Sequence, residues 1–282
     1  MKTDKKFINC SWGKTHIVEL NKSSKIPVIC IHGWLDNWAS FQPLSENLSE
    51  YLICIDLPGH GHSSHLQEGN WYHFVDYAVR LREVLNHLNL EKFHIAGHSM
   101  GAAIGCLYAA VFPESVLSLT MIDGLGPLVN PPEEARNILR DSILHREAKK
   151  NKKRAFKDLD LAVKARMSNG EINYESARLL VENQVNRSSG LYKWSFDYKL
   201  KFTSSLRLTS EQLLSFFIKL ECPVLLIQAT EGYVHKAPFW ELKSKIRNLT
   251  LEQLEGKHHL HMEKPKETAA VIYRFLSSLN NK

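Results

Sequence analysis

Short runs of consecutive apolar residues alternate along this chain with longer segments in which apolar residues recur every third or fourth position. "PVICIHG" (27–33), "YLICIDLPG" (51–59), "KFHIAGH" (92–98), "VLSLTMIDG" (116–124) and "PVLLIQAT" (223–230) are runs of the first kind. Apolar runs of this length, closed by glycine or polar residues, predict buried strands. Between the second and third run, Phe74, Tyr77, Ala78, Leu81, Val84, Leu85 and Leu88 keep helical spacing and predict a helix over 71–90. Ile272, Phe275, Leu276 and Leu279, following Pro265, predict a C-terminal helix. Near-continuous apolar strands alternating with helices imply a mostly parallel sheet covered on both faces. The opening "FINC" and "THIVEL" segments predict a hairpin at the edge of that sheet.

The alternation stops near residue 125 and resumes near 221. Residues 1–124 and 221–282 therefore read as one core, and 125–220 as a largely helical cap inserted into it. Within the insertion, Phe156, Leu159, Val163 and Met167 hold helical spacing, next to the basic run "KKNKKR" (149–154). The chain has no internal repeat.

Composition narrows this picture only slightly. The chain has 282 residues, 44% hydrophobic and 23% charged, which suits one large α/β domain with an insertion. No apolar run reaches the roughly 18–20 residues a membrane span needs. The basic N-terminus lacks the apolar stretch of a secretory signal, so a cytoplasmic location is expected. Five cysteines without a CxxC pair fit free thiols in a reducing compartment. A net charge of +6 is too mild to argue for nucleic acid. The basic segment 146–167 reads as a solvated helix face, with peripheral membrane contact or attraction of anionic substrates as alternatives. Oligomeric state is left open.

The chemistry concentrates in "FHIAGHSMGAAIG" (93–105). Gly97, Ser99 and Gly101 form a G-x-S-x-G pattern between an apolar strand and a small-residue helix. A serine on so sharp a turn needs neighbours without bulk two residues before and two after it. The turn lifts the hydroxyl out of the sheet and leaves the amide of Met100 at a helix N-terminus, free to donate to an oxyanion.

With "HGWLDN" (32–37), "DLPGHGHSS" (56–64), "GHSMGA" and "GKHHLHMEKP" (256–265) in this order, the chain resembles the α/β-hydrolases. "HGWLDN" and "WSFDYKLK" (194–201) resemble the serine hydrolase-like, or carboxylesterase, branch of that family. The resemblance implies an α/β-hydrolase fold, with Ser99 as nucleophile and His258 as general base. It implies an oxyanion hole made by the amides of Trp34 and Met100. His258 is chosen over His259 and His261 by its register to Glu263. The family's commonest acid position, after the strand "PVLLIQ", holds Gly232 here, beside Glu231. The alternative position, after the preceding strand, holds Asp123. The acid is thus Asp123 or Glu231, with Asp123 preferred; either keeps the order serine, acid, histidine.

The implied activity is cleavage of a small-molecule carboxylic ester through an acyl-enzyme. Carbon–carbon hydrolysis, thioester or lysophospholipid hydrolysis, acyl transfer, and ligand binding without turnover are the alternatives. His98, Trp34 and Trp194 are expected at the substrate pocket, and Trp38 there or in helix packing. No cofactor is expected. The histidines at 60, 62, 65, 258, 259 and 261 match no standard zinc spacing, so no metal is expected either. The glycine-rich turn lacks the spacing of a dinucleotide loop.

Overall fold

A computed structural model describes residues 3–22, 26–148, 155–168 and 170–280. The strands, in chain order, are β1 (Thr3–Cys10), β2 (Gly13–Leu20), β3 (Val28–Ile31), β4 (Leu52–Ile55), β5 (Phe93–His98), β6 (Val116–Ile122), β7 (Ala155–Phe156), β8 (Val185–Ser188), β9 (Leu191–Trp194), β10 (Val224–Ala229) and β11 (Leu249–Leu254). The helices are α1 (Gln42–Ser45), α2 (Asp76–His87), α3 (Met100–Val111), α4 (Ala135–Ala148), α5 (Leu159–Met167), α6 (Tyr174–Glu182), α7 (Ser210–Phe217), α8 (Leu260–Glu263) and α9 (Pro265–Asn280).

Eight strands form one sheet in the order β1-β2-β4-β3-β5-β6-β10-β11. The β1-β2 hairpin and the β2-β4 pair are antiparallel, and every later pair is parallel. Alternation along each strand divides the core in two. Ile29, Ile31, Ile53 and Ile55 pack with α2, α3 and α7 on one face; Val28, Cys30, Leu52 and Cys54 pack with Leu44 of α1 and with α9 on the other. This two-faced burial is why the strands read as unbroken apolar runs.

The helix expected over 71–90 is shorter, Asp76–His87. At its start, the Tyr72 hydroxyl donates to Asp197 and accepts from the Leu66 amide, which ties this segment to its neighbours ahead of the helix. At its end, Asn89 takes φ +52° while Leu90 N–H donates to Leu85 O and Asn89 N–H to Asn86 O, a Schellman stop. The edge strand β11 was not legible, because its half-polar sequence lies at the sheet's rim.

The insertion differs most from expectation. It carries α4 to α7, but also a three-stranded antiparallel sheet, β7-β9-β8. Phe156 lies in β7 rather than in a helix, which begins only at Leu159, N-capped by the Asp158 carboxylate. The β8–β9 turn is Ser189-Gly190, both at positive φ, as a two-residue hairpin turn demands. Phe156, Val163, Leu180 and Val181 form a small apolar cluster of their own. The run "KKNKKR" lies outside the described residues. Near the return to the core, buried Lys199 donates to the carbonyls of Leu66, Gln67 and Asn70. No helix among the described residues is long and apolar enough to cross a membrane.

Candidate active site

Parallel strands in register bring their carboxyl ends level. Ile31 pairs with Gly97, His98 with Ile122, and Ile122 with Ile227. The loops that follow β3, β5, β6 and β10 therefore open on one side of the sheet, the usual place for a ligand in this architecture.

Ser99 stands between β5 and α3 at φ +52°, ψ −113°, a strained conformation for a residue with a side chain. The flanking glycines permit it. A Cβ on Gly101 would overlap the Ile31 carbonyl, and one on Gly97 would overlap the backbone at Gly101 and Ala102. Gly101→Ala should therefore lower stability by about 3 kcal/mol or more, since backbone must move to admit the methyl. An unfolding midpoint in urea equal to that of the parent would contradict this packing.

His258, in the loop between β11 and α8, is bonded through Nδ1 to Asp123 Oδ2 at 2.6 Å. Asp123 follows β6 and is 2% exposed. It also accepts from the amides of Ala229 (3.2 Å) and Tyr233 (3.0 Å). Burial alone would raise its pKa, but the His258 hydrogen bond and those two amides outweigh it and hold the carboxyl below its ordinary value. Glu231 is exposed and makes no hydrogen bond to His258. Gly232 explains the exchange of positions: any Cβ there would collide with the Asp123 carboxylate. The acid of β6 occupies the space that a side chain after β10 would need.

With Nδ1 engaged by Asp123, Nε2 is the ring nitrogen left to act as a base. Ser99 and His258 line one cavity of about 730 Å³, together with Trp34, Arg166, Trp194 and Tyr198. The Ser99 hydroxyl makes no hydrogen bond among the described residues. The amides of Trp34 and Met100 likewise have no backbone acceptor among them. Trp194 lines the cavity and stacks on Phe196 at 5.5 Å. Trp38 does not line it; it is buried among core residues at Phe41 and Leu44.

His98 also borders the cavity, but as a fully buried ring whose Nε2–H donates to the His258 carbonyl (3.0 Å). Burial pushes its pKa down to about 4, so the ring is neutral. Around it lie groups that sequence reasoning did not single out. Asp36 Oδ2 is 3.6 Å from His98 Nδ1 and 3.4 Å from His259 Nε2, and Arg166 Nη2 donates to Asp36 Oδ1 at 2.7 Å. Burial would raise the Asp36 pKa; Arg166 and His259 instead hold it well below the carboxylate range. Asp36 sits inside the "HGWLDN" motif, but Arg166 comes from α5 and carried no sequence signal. Two groups among the described residues bring ligand-type atoms within 4.8 Å of one another: Cys10, Glu83 and His87, and Asp36, His98 and His259. In the second, the Arg166 guanidinium already supplies a cation to Asp36.

A serine on a strained strand-to-helix turn, an acid-paired histidine in the same cavity, and a mostly parallel sheet behind them define the hydrolase class of α/β fold. The family described as alpha/beta hydrolase fold matches residues 26–265. A probable serine hydrolase of Drosophila melanogaster is 30% identical over 94% of this chain and 85% of its own length. A serine hydrolase-like protein of Danio rerio is 28% identical over 94% of this chain and 86% of its own. A solved structure of a hypothetical protein from Pseudomonas aeruginosa PAO1 shares 33% identity and a TM-score of 0.91, covering 97% of this chain and 99% of its own. This chain belongs to the α/β-hydrolase family, in its serine hydrolase-like branch.

Proposed function

We propose that this protein cleaves small carboxylic esters through an acyl-enzyme on Ser99. The observation that carries the reading is the Asp123–His258 pair at 2.6 Å, in the same cavity as a serine on the strained turn. A serine hydroxyl is scarcely ionised at neutral pH and needs a base at the moment of attack. His258 Nε2 takes the proton as Oγ bonds to the carbonyl carbon, and Asp123 holds the ring in the correct tautomer and stabilises the imidazolium. The carbonyl oxygen gains its charge against the amides of Trp34 and Met100, neither of which has a backbone acceptor among the described residues to give up. His258 then returns the proton to the leaving alcohol. Water repeats the sequence on the acyl-enzyme and frees the acid. Trp194 and Phe196 offer an apolar wall to an acyl chain. A panel of p-nitrophenyl esters of increasing chain length tests the reading, with a fluorophosphonate probe for the serine. An absence of turnover on every ester, with no probe adduct, would reject it.

The acid assignment has its own test. Asp123→Asn should lower kcat by about 10⁴, because the ring loses the partner that sets its tautomer. Glu231→Gln should leave kcat within about twofold, as an exposed side chain with no hydrogen bond to the ring would. Equal losses in both variants would remove Asp123 from the mechanism.

A further inference from the structure

The loop after β3 is pinned by the insertion at three nearby residues. Trp34 Nε1 donates to Leu200 O (3.0 Å), Asp36 Oδ1 accepts from Arg166 (2.7 Å), and Asn37 Nδ2 donates to Leu180 O (2.9 Å). Between the first two stands Leu35 at φ +59°, a left-handed conformation that a branched side chain adopts only when its surroundings impose it. The turn is closed by Asp36 N–H donating to Gly33 O at 3.2 Å. The Asp36 side chain lies directly beneath it: a Cβ on Gly33 would come within 2.9 Å of both Asp36 Oδ2 and His98 Nδ1. His98 in turn holds the carbonyl of His258. One buried carboxylate thus borders the strained loop, the serine turn and the histidine loop, and its counter-charge comes from the insertion.

We infer that Arg166 and Asp36 are positioning residues that aim the Trp34 amide at the developing oxyanion. The inference rests on the acyl-enzyme reading above. Arg166 belongs to α5 and reaches Asp36 only when the insertion is seated on the core. Without the guanidinium, the carboxylate is a buried charge lacking its strongest partner, and it must turn outward or take up a proton. Either change removes the side-chain hold on the Gly33–Asp36 turn, leaving it only its backbone bond and the pins at Trp34 and Asn37, and Leu35 can relax toward negative φ. That relaxation re-aims the preceding peptide units, including the Trp34 N–H. Nη2 of Arg166 already serves Asp36 and lies 3.3 Å from His259 Nε2, which favours a structural use of the guanidinium over capture of substrate.

Arg166→Met should lower kcat on a short, uncharged p-nitrophenyl ester by about 10²-fold, the loss that follows removal of one oxyanion donor, with KM changed less than about twofold. Methylguanidinium added to this variant should restore part of kcat. Asp36→Asn should show a similar loss without rescue, and the double variant should be no worse than either single one, because both break one interaction. A rise in KM with kcat unchanged would overturn the inference, since it would make Arg166 a substrate-binding residue. So would unchanged kcat in folded Arg166→Met, or a double variant whose losses multiply. Should either variant fail to fold, Trp34→Phe removes a second pin without touching the ion pair. It should cost several-fold in kcat at constant KM, and an unchanged kcat there would also overturn the inference. Failure of the acyl-enzyme reading is distinguishable: the parent protein itself would then neither hydrolyse the ester nor take up the fluorophosphonate.

Discussion

Ser99→Ala should fold like the parent and lose ester turnover by about 10⁶-fold in kcat, the scale seen when a triad serine is removed. Folding should survive for a local reason. The Ser99 hydroxyl makes no hydrogen bond among the described residues, so nothing buried is orphaned by its loss. Alanine also bears the same backbone strain as serine at φ +52°, so that cost does not change. The variant separates chemistry from architecture: its unfolding midpoint should match the parent within about 0.5 kcal/mol while product formation vanishes. Fluorophosphonate should label the parent once and the variant not at all. A variant that keeps more than a small fraction of parental kcat would place the nucleophile elsewhere. Residual activity near 10³ over water is compatible with two oxyanion amides acting alone.

Acidification below about pH 6.5 should destabilise the fold steeply, well before the carboxylates titrate. The cause is a set of buried neutral histidines. Burial pushes His60 down to about 3 and His98 down to about 4, and lowers His32 and His261 as well. Their hydrogen bonds fit neutral rings. His32 donates from Nδ1 to Gly33 O and accepts at Nε2 from Leu57 N–H; neither nitrogen of His261 has a hydrogen-bond partner among the described residues. For such groups the unfolded chain takes up protons near 6.5 while the folded chain refuses them. Their stabilising effect is therefore complete above that value. It is lost progressively as pH falls toward the folded pKa, at about 1.4 kcal/mol per pH unit for each ring. The three rings held furthest down, His60, His98 and His261, together approach about 4 kcal/mol per unit, against a total stability of about 5–15 kcal/mol for a typical domain. The depressed carboxylates Asp36, Asp56 and Asp123 act later: their contribution is present above about pH 4 and is lost below it. Urea titrations at pH 7.5, 6.5, 5.5 and 4.5 test the order of events. His261→Phe should reduce the slope between 6.5 and 5.5 by about one proton, as the ring packs on Phe41 and needs no polar partner. A midpoint constant from pH 7.5 to 4.5 would contradict neutral burial of these rings.

How much of this was legible before the structure depends on the range over which each signal acts. The central strands were plain because burial on both faces leaves a run of Val, Ile, Leu and Cys with few polar interruptions. The serine turn was plain because its steric demand falls on residues two positions away in the chain, Gly97 and Gly101. Helical spacing misleads at Phe156 because it continues across a boundary set by pairing with Tyr192 of β9. The Ser189-Gly190 turn was a local cue to that second sheet, and it lay in plain view.

The sequence by itself determined the central strands, the serine turn and two candidate acids, because periodicity and local sterics are properties of neighbouring residues. Only the tertiary structure chose between the acids, since Asp123 and Gly232 must be superposed before one is seen to occupy the other's space. The same holds for Asp36 and Arg166, which lie 130 positions apart. Charge pairing across such a separation leaves no trace in spacing or composition; it exists only once the insertion has folded back onto the core.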